Sequence, residues 1–290
     1  MKFSRSDADV FAPDGTPPAQ ALARTTHLCI GAHQDDIEIM AYAGISDCLG
    51  NQDLFFTGVV ATNGAGSPRT GRYAAFTDEQ MQAVRREEQR RAATIGKYNL
   101  QLQLGHPSAA VKDPAAAEVR ADLAAIFGGC APQVVYLHNP ADKHDTHIAV
   151  LHRCLEAIRS LPRHRRPRRV LGCEVWRDLD WVVDADKVAL NSGRNPQLAE
   201  ALIKVFDSQI SGGKRYDRAV LGRRVANATY HQHHEVDAFE GVTWSIDLTP
   251  LAADDALSME EFTLGYVERL RADIASRIGA FAVKRSHPGL

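Results

Sequence analysis

The chain has 290 residues, 44% hydrophobic and 24% charged, which suits one large domain or two small ones and excludes a disordered chain or a disulfide-stapled mini-protein. Its 34 Lys and Arg against 36 Asp and Glu give a formal charge of −2, so no global field draws it to nucleic acid or anionic lipid. Five cysteines, Cys29, Cys48, Cys130, Cys154 and Cys173, form no CxxC pair and predict reduced, mostly buried thiols in a cytoplasmic protein.

Residues 1–25 open with MKFSRSDADV, which has no apolar signal core, and continue polar and Pro-rich, which predicts a loop or arm. A buried strand is expected over His27–Ala32, then a helix over Ile37–Leu49 and a second strand over Phe55–Ala61. That strand runs into the glycine-rich loop TNGAGSPRTG. A long charged helix is expected over Asp78–Lys97 with Thr77 as its cap, a third strand over Leu100–Leu104 and an Ala-rich helix over Pro114–Phe127. A fourth strand follows at Gln133–His138, a helix at Thr146–Ser160 and a fifth strand at Val170–Val175. Beyond residue 177 only two helices stand out, Pro196–Ser208 and Met259–Ile278.

Apolar strands without alternation, separated by helices, predict an α/β fold with a mostly parallel sheet and helices on both faces. No linker or repeat divides the chain. The expected organisation is one domain over 1–290, with a core at about 27–176 and a C-terminal elaboration at 177–290. No run approaches the ~20 apolar residues of a membrane span. In such sheets ligands bind beyond the carboxyl ends of strands, so the loops after Ala32 and His138 are the ones to inspect.

Both of those loops are rich in metal-ligand residues. Ala32-His33-Gln34-Asp35-Asp36 follows the first strand, and Asp142-Lys143-His144-Asp145-Thr146-His147 follows the fourth. Of the chain's twelve histidines, His33, His138, His144 and His147 fall in or beside these loops, and His231, His233 and His234 form a second group. An HxxD or HxxH alone is commonly surface, but charge placed directly after a buried strand needs a partner. Together His33, Asp36 and His147 form a His2Asp set of the kind that holds a catalytic zinc and leaves a position for water. Asp35 is placed to take the water proton, and His144 to protonate a leaving amine or stabilise an oxyanion. This is equipment for metal-assisted amide hydrolysis. Fe2+ and Co2+ suit the same donors.

AHQDD and DKHDTH, in this order, resemble the LmbE-like family of zinc deacetylases. That family includes the PIG-L type N-acetylglucosaminyl-phosphatidylinositol deacetylase and the deacetylases of the mycothiol and bacillithiol pathways. Its motifs usually read AHPDD and HPDH. A family helix motif is echoed by Arg85-Arg86-Glu87-Glu88 and Ala92-Ala93-Thr94-Ile95-Gly96. The resemblance covers 27 to about 175 and implies a Rossmann-like fold and removal of N-acetyl from an amino sugar or glycoside. It implies zinc on His33, Asp36 and His147, Asp35 as base, and His144 facing the tetrahedral intermediate. An amidase of sugar–thiol conjugates and a non-catalytic carbohydrate-binding relative are the alternatives. In each the partner is a small molecule, with no nucleic acid, no membrane and the oligomeric state open.

The sequence departs from the family at two motif positions. Gln34 replaces Pro, which restores an N–H and frees φ. Thr146 replaces Asp, so Asp145 or Asp142 is expected to orient His144. Weaker signals are Tyr230–Glu235 as pocket lining, the 62–67 loop as a sugar or phosphate contact, and Arg85 with Glu88 as a pair near the site. Arg69 and Arg72 are candidate anion grips, and the basic run 159–169 reads as a solvated loop.

Overall fold

The computed structural model describes residues 1–67 and 69–282; Pro68 of the glycine-rich loop and residues 283–290 of the C-terminal elaboration lie outside them. The strands are β1 (Asp9–Phe11), β2 (His27–Gly31), β3 (Phe56–Thr62), β4 (Leu100–His106), β5 (Val134–His138), β6 (Val170–Cys173), β7 (Lys187–Asn191) and β8 (Val242–Asp247). They form one sheet in the order β1-β4-β3-β2-β5-β6-β8-β7. The five strands from β4 through β3, β2 and β5 to β6 are parallel, while β1, β8 and β7 each pair antiparallel with a neighbour.

The helices are α1 (Pro18–Ala23), α2 (Asp36–Met40), α3 (Tyr42–Cys48), α4 (Asp78–Ile95), α5 (Ser108–Lys112) and α6 (Ala117–Gly129). After them come α7 (Asp145–Arg159), α8 (Pro196–Lys204), α9 (Asp207–Ile210), α10 (Tyr216–Thr229), α11 (Thr249–Ala253) and α12 (Met259–Ala280). Every residue of β2, β3 and β4 is buried; β2 and β3 are mostly apolar on both faces, while β4 alternates leucines with Gln101 and Gln103, whose amides are hydrogen-bonded inside. One core packs Leu123, Ile126, Leu151, Ile158 and Leu251 of α6, α7 and α11 against the sheet. The other packs Ile37, Met40, Ile45, Leu202 and Ile203 of α2, α3 and α8 against its opposite face.

The largest corrections lie at the two ends. The predicted N-terminal arm holds β1 and α1. β1 is only three residues long and carries Asp9, which Gln103 bonds at 3.2 Å and Arg90 clamps, so it has no apolar run to read. The helix expected over 37–49 is two, divided at Ala41, where ψ is 19°. The Ala-rich helix starts at Ala117 rather than Pro114. β8 is absent from the sequence reading because its buried positions include hydroxyls. Thr243 Oγ1 lies 2.7 Å from Ser192 Oγ, and Ser245 Oγ donates to the Val188 carbonyl at 3.1 Å.

Thr77 caps α4 as expected. Its hydroxyl accepts from the Gln80 N–H, and the Gln80 side chain accepts from the Thr77 N–H. Thr77→Ala removes that box and is expected to cost about 1 kcal/mol, or roughly 2–4 °C in a thermal melt. An unchanged melting temperature would mean the helix is held by packing alone.

From β2 the chain winds to β3 and β4 on one side, then returns to β5 and β6 on the other. The connections leaving β2 and β5 therefore diverge, which opens a crevice at the carboxyl ends of these two neighbours.

Candidate metal centre

Both motif loops meet in that crevice. After β2 the chain turns through Ala32 to Asp35 and enters α2 at Asp36. The His33 N–H donates to Asp36 Oδ2 at 2.7 Å and fixes the turn. Asp35 stands at φ 95°, in the left-handed region that few non-glycine residues adopt. From the other side, His144 caps α7 and His147 occupies its first turn, wholly buried.

Three donor atoms converge. His33 Nδ1 lies 3.2 Å from His147 Nε2, and Asp36 Oδ2 lies 3.4 Å from each of them. Donors about 2.0–2.1 Å from a common tetrahedral ion stand roughly 3.3–3.4 Å from one another. The side chains are thus spaced as three ligands of one metal. His144 joins His33 and His147 within 4.8 Å, so a fourth polar group faces the same point.

The electrostatics follow from packing charge where water is excluded. Burial alone would raise Asp36, but the imidazoles of His147 and His138, with His33, outweigh it and hold the carboxyl well below its usual range. Asp35 goes the other way. Burial and the adjacent Asp36 charge raise it, against the pull of Arg85. Burial would lower His147, yet Asp36 and Asp142 raise it. Desolvation and the neighbouring imidazoles bring His144 down to about 4 and His138 to about 3.

The orienting groups differ from expectation. Neither Asp145 nor Asp142 bonds the His144 ring. The Thr146 backbone N–H donates to His144 Nδ1 at 3.3 Å, which leaves the proton of a neutral ring on Nε2. A main-chain amide needs no particular side chain at 146, so the Asp-to-Thr departure is absorbed. Asp142 instead takes His147, with Oδ2 3.3 Å from Nδ1, and also accepts from the His144 and Trp176 N–H groups. His138 belongs to the histidine cluster, and the sequence alone gives it no role. It ends β5, its Nε2 accepts the Ala32 N–H at 3.0 Å, and it ties β5 to the β2 turn. That bond occupies its lone pair, so His138 supports the centre rather than ligating in this geometry.

Gln34, the other departure, is buried and anchored. Its amide donates to Gln103 Oε1 at 3.2 Å, and its carbonyl accepts from Gln209 Nε2 at 2.8 Å. Arg85 and Glu88 are both buried but do not pair with each other. Arg85 donates to the Gly64 carbonyl at 3.0 Å, while Glu88 accepts from the Ser208 N–H and hydroxyl. Gly64 has φ 74°, and a Cβ there would meet Gln34 Oε1 at 2.4 Å and Arg85 Cδ at 2.9 Å. The 62–67 loop thus braces the centre from below.

Other expectations shift. Arg69 and Arg72 are held by Asp78 and Asp207 rather than free to grip an anion. Within the basic run, Arg159 and Arg166 cap carbonyls of α11 and the segment after it, including Leu251 and Ala252. Tyr230 is 86% exposed, the His233 and His234 rings lie tilted against each other, and Tyr230–Glu235 stays outside the lining of the cavity beside the centre. A cavity of about 300 Å³ does open beside the centre, lined instead by Trp176, Lys214, Tyr216, Arg223 and Arg224 among others. The Trp176 ring lies 6.3 Å from that of His144 and 6.2 Å from that of Tyr216.

Several solved structures share the fold at low identity. A conserved protein of Thermus thermophilus is 18% identical, with a TM-score of 0.58 over 77% of this chain and 94% of its own. The GalB 4-carboxy-2-hydroxymuconate hydratase of Pseudomonas putida is 17% identical, with a TM-score of 0.56 over 77% and 96%. The N,N'-diacetylchitobiose deacetylase of Pyrococcus horikoshii is 18% identical, with a TM-score of 0.53 over 76% and 83%. One fold thus carries both a hydratase and a deacetylase, and at these identities the likeness speaks for the fold alone. No curated protein matches the chain. Residues 28–158 match the family described as PIG-L, GlcNAc-PI de-N-acetylase. That segment contains both His/Asp motifs, so the likeness to the PIG-L (LmbE-like) family covers the candidate centre.

Proposed function

We propose that the chain is a zinc-dependent hydrolase that removes an N-acetyl group from an amino sugar or glycoside. The observation that carries this reading is the His33, Asp36 and His147 donor triangle, with its 3.2–3.4 Å edges, at the sheet's switch point. A divalent ion held there supplies Lewis acidity to an amide carbonyl and acidity to a water, and Fe2+ or Co2+ fits the same donors. Asp35 takes the proton of the attacking water. Burial and Asp36 raise its basicity. His144, with its proton on Nε2, donates a hydrogen bond to the oxyanion of the tetrahedral intermediate. The proton that Asp35 took from the water passes to the leaving amine as the C–N bond breaks. Asp142 holds His147 in the tautomer that presents Nε2.

The substrate class is a small N-acylated sugar, which the match of residues 28–158 to the PIG-L family supports. Five free thiols, four of them buried, support a reducing, cytoplasmic setting. Among the described residues no helix is long and apolar enough to cross a membrane. We treat residues 1–290 as one domain, because β7 and β8 of the C-terminal part extend the sheet of the N-terminal part.

The test is acetate release from a panel of N-acetylated amino sugars, with added zinc and after chelation. Release that chelation abolishes and zinc restores is the expected result. A zinc-loaded protein that releases no acetate from any member, or release untouched by chelation, overturns the reading.

A further inference from the structure

The last helix carries an apolar stripe that the body of the protein does not use. α12 is anchored by its first half alone. Tyr266 is buried against Trp181 and Phe262, and Arg269 is bridged to Asp186. No described residue of α12 beyond Tyr266 joins either core, and residues 271–282 are exposed apart from half-buried Asp273. Of the twelve large apolar side chains exposed among the described residues, five lie on α12 and its C-cap: Leu264, Val267, Ile274, Ile278 and Phe281, the last at 91%. Single exposed apolar side chains are ordinary, but five on one helix form a patch.

Their spacing is that of a seam between two helices. With Arg271 in the gap, positions 264, 267, 271, 274, 278 and 281 alternate steps of three and four, the period that keeps paired helices in contact. The stripe runs about 26 Å along the helix. Ala275 and Ala282 beside it are small, so a second helix can approach closely. About three turns of helix standing without packing are marginal in water, which makes a covered seam the stable state.

The charges choose the partner. Glu260, Glu261 and Glu268 lie in the anchored half, where the base Arg269 is taken by Asp186; Arg271 and Arg277 lie in the projecting half against Asp273 alone. A parallel copy would stack Arg271 on Arg271 and set acid beside acid. An antiparallel copy lays its basic half along the acidic half of the first. We infer that α12 is a dimerisation helix, pairing antiparallel with α12 of a second copy of this chain through the 264–281 stripe. The pairing is symmetric, bringing each Leu264 to Phe281 of the second copy, Val267 to Ile278 and Arg271 to Ile274. The Arg271 guanidinium already turns to Glu268, Nε to Oε2 at 2.7 Å, so its stem lies in the seam with the charge at the rim. A lipid surface fits this helix less well, because the stripe is narrow, interrupted by a cation and bordered by glutamates.

Sedimentation of the full chain tests this. At about 100 µM protein the expected species has twice the 31.8 kDa of one chain, and it dissociates on dilution. The double variant Ile274→Glu, Ile278→Glu, with both changes at exposed positions, is expected to weaken association by about tenfold or more while near-UV circular dichroism shows the body still folded. Orientation is read by oxidative cross-linking of Leu264→Cys and Phe281→Cys. Neither variant alone is expected to cross-link beyond the wild-type background, and a mixture of the two is expected to yield a covalent dimer. A wild type that keeps the mass of one chain at that concentration, or a double variant that associates as tightly, overturns the proposal. Cross-linking of either variant alone overturns the antiparallel seam. A monomer that co-sediments with phosphatidylserine vesicles, and loses that binding in the double variant, would assign the stripe to a lipid surface instead.

Discussion

Asp35→Asn is expected to yield a folded, metal-loaded protein whose turnover is reduced about 10²–10⁴-fold. The backbone favours this variant as a clean probe. Asp35 sits at φ 95°, and Asn tolerates the left-handed region as well as any residue with a Cβ. The substitution keeps the volume and removes a negative charge from a buried position beside Asp36. Melting temperature is therefore expected to hold or rise. Asp35 is not one of the three converging donors, so the metal stoichiometry should stay at one. Because the base acts only as the water is deprotonated, kcat and kcat/KM should fall together while KM changes little. Wild-type turnover would remove Asp35 as the base. Loss of the metal would make it a structural residue of the centre.

The parts legible in the sequence are those whose signal is local. β2, β3 and β5 are apolar on both faces, and Thr77 with Gln80 is a cap readable at fixed spacing. The donor residues are legible because a loop after a buried strand has little other reason to hold HxxD. The rest is set by contacts distant in sequence. β8 hides behind hydroxyls that Ser192 and Val188 satisfy, and β1 is held by Arg90 from the far end of α4. Asp142 lies in the motif, yet spacing pairs it with the wrong imidazole. Sequence spacing cannot show that the Thr146 amide already serves His144. Arg224 sits on α10, outside the family segment, where nothing in the local pattern marks a buried arginine.

The second large effect is expected at the link between His147 and Asp142. His147→Ala removes one of three converging donors and should abolish stoichiometric metal binding, read by metal analysis after dialysis. Asp142→Ala is the more informative change. It leaves every donor atom in place and removes only the carboxylate 3.3 Å from Nδ1. Outer partners of this kind are worth about 10–100-fold in metal affinity, and that loss is expected at neutral pH. The pH dependence separates this role from simple damage. Burial lowers His147, but Asp36 and Asp142 more than reverse it, so its folded pKa lies above the ordinary imidazole value. Metal requires the neutral ring, hence affinity in the wild type falls as pH drops through that raised value. Without Asp142 the ring is less basic, and the acid-side loss should move to lower pH even as neutral-pH affinity weakens. Weaker binding with an unmoved or upward-shifted acid limb would mean that Asp142 shapes the loop rather than the imidazole.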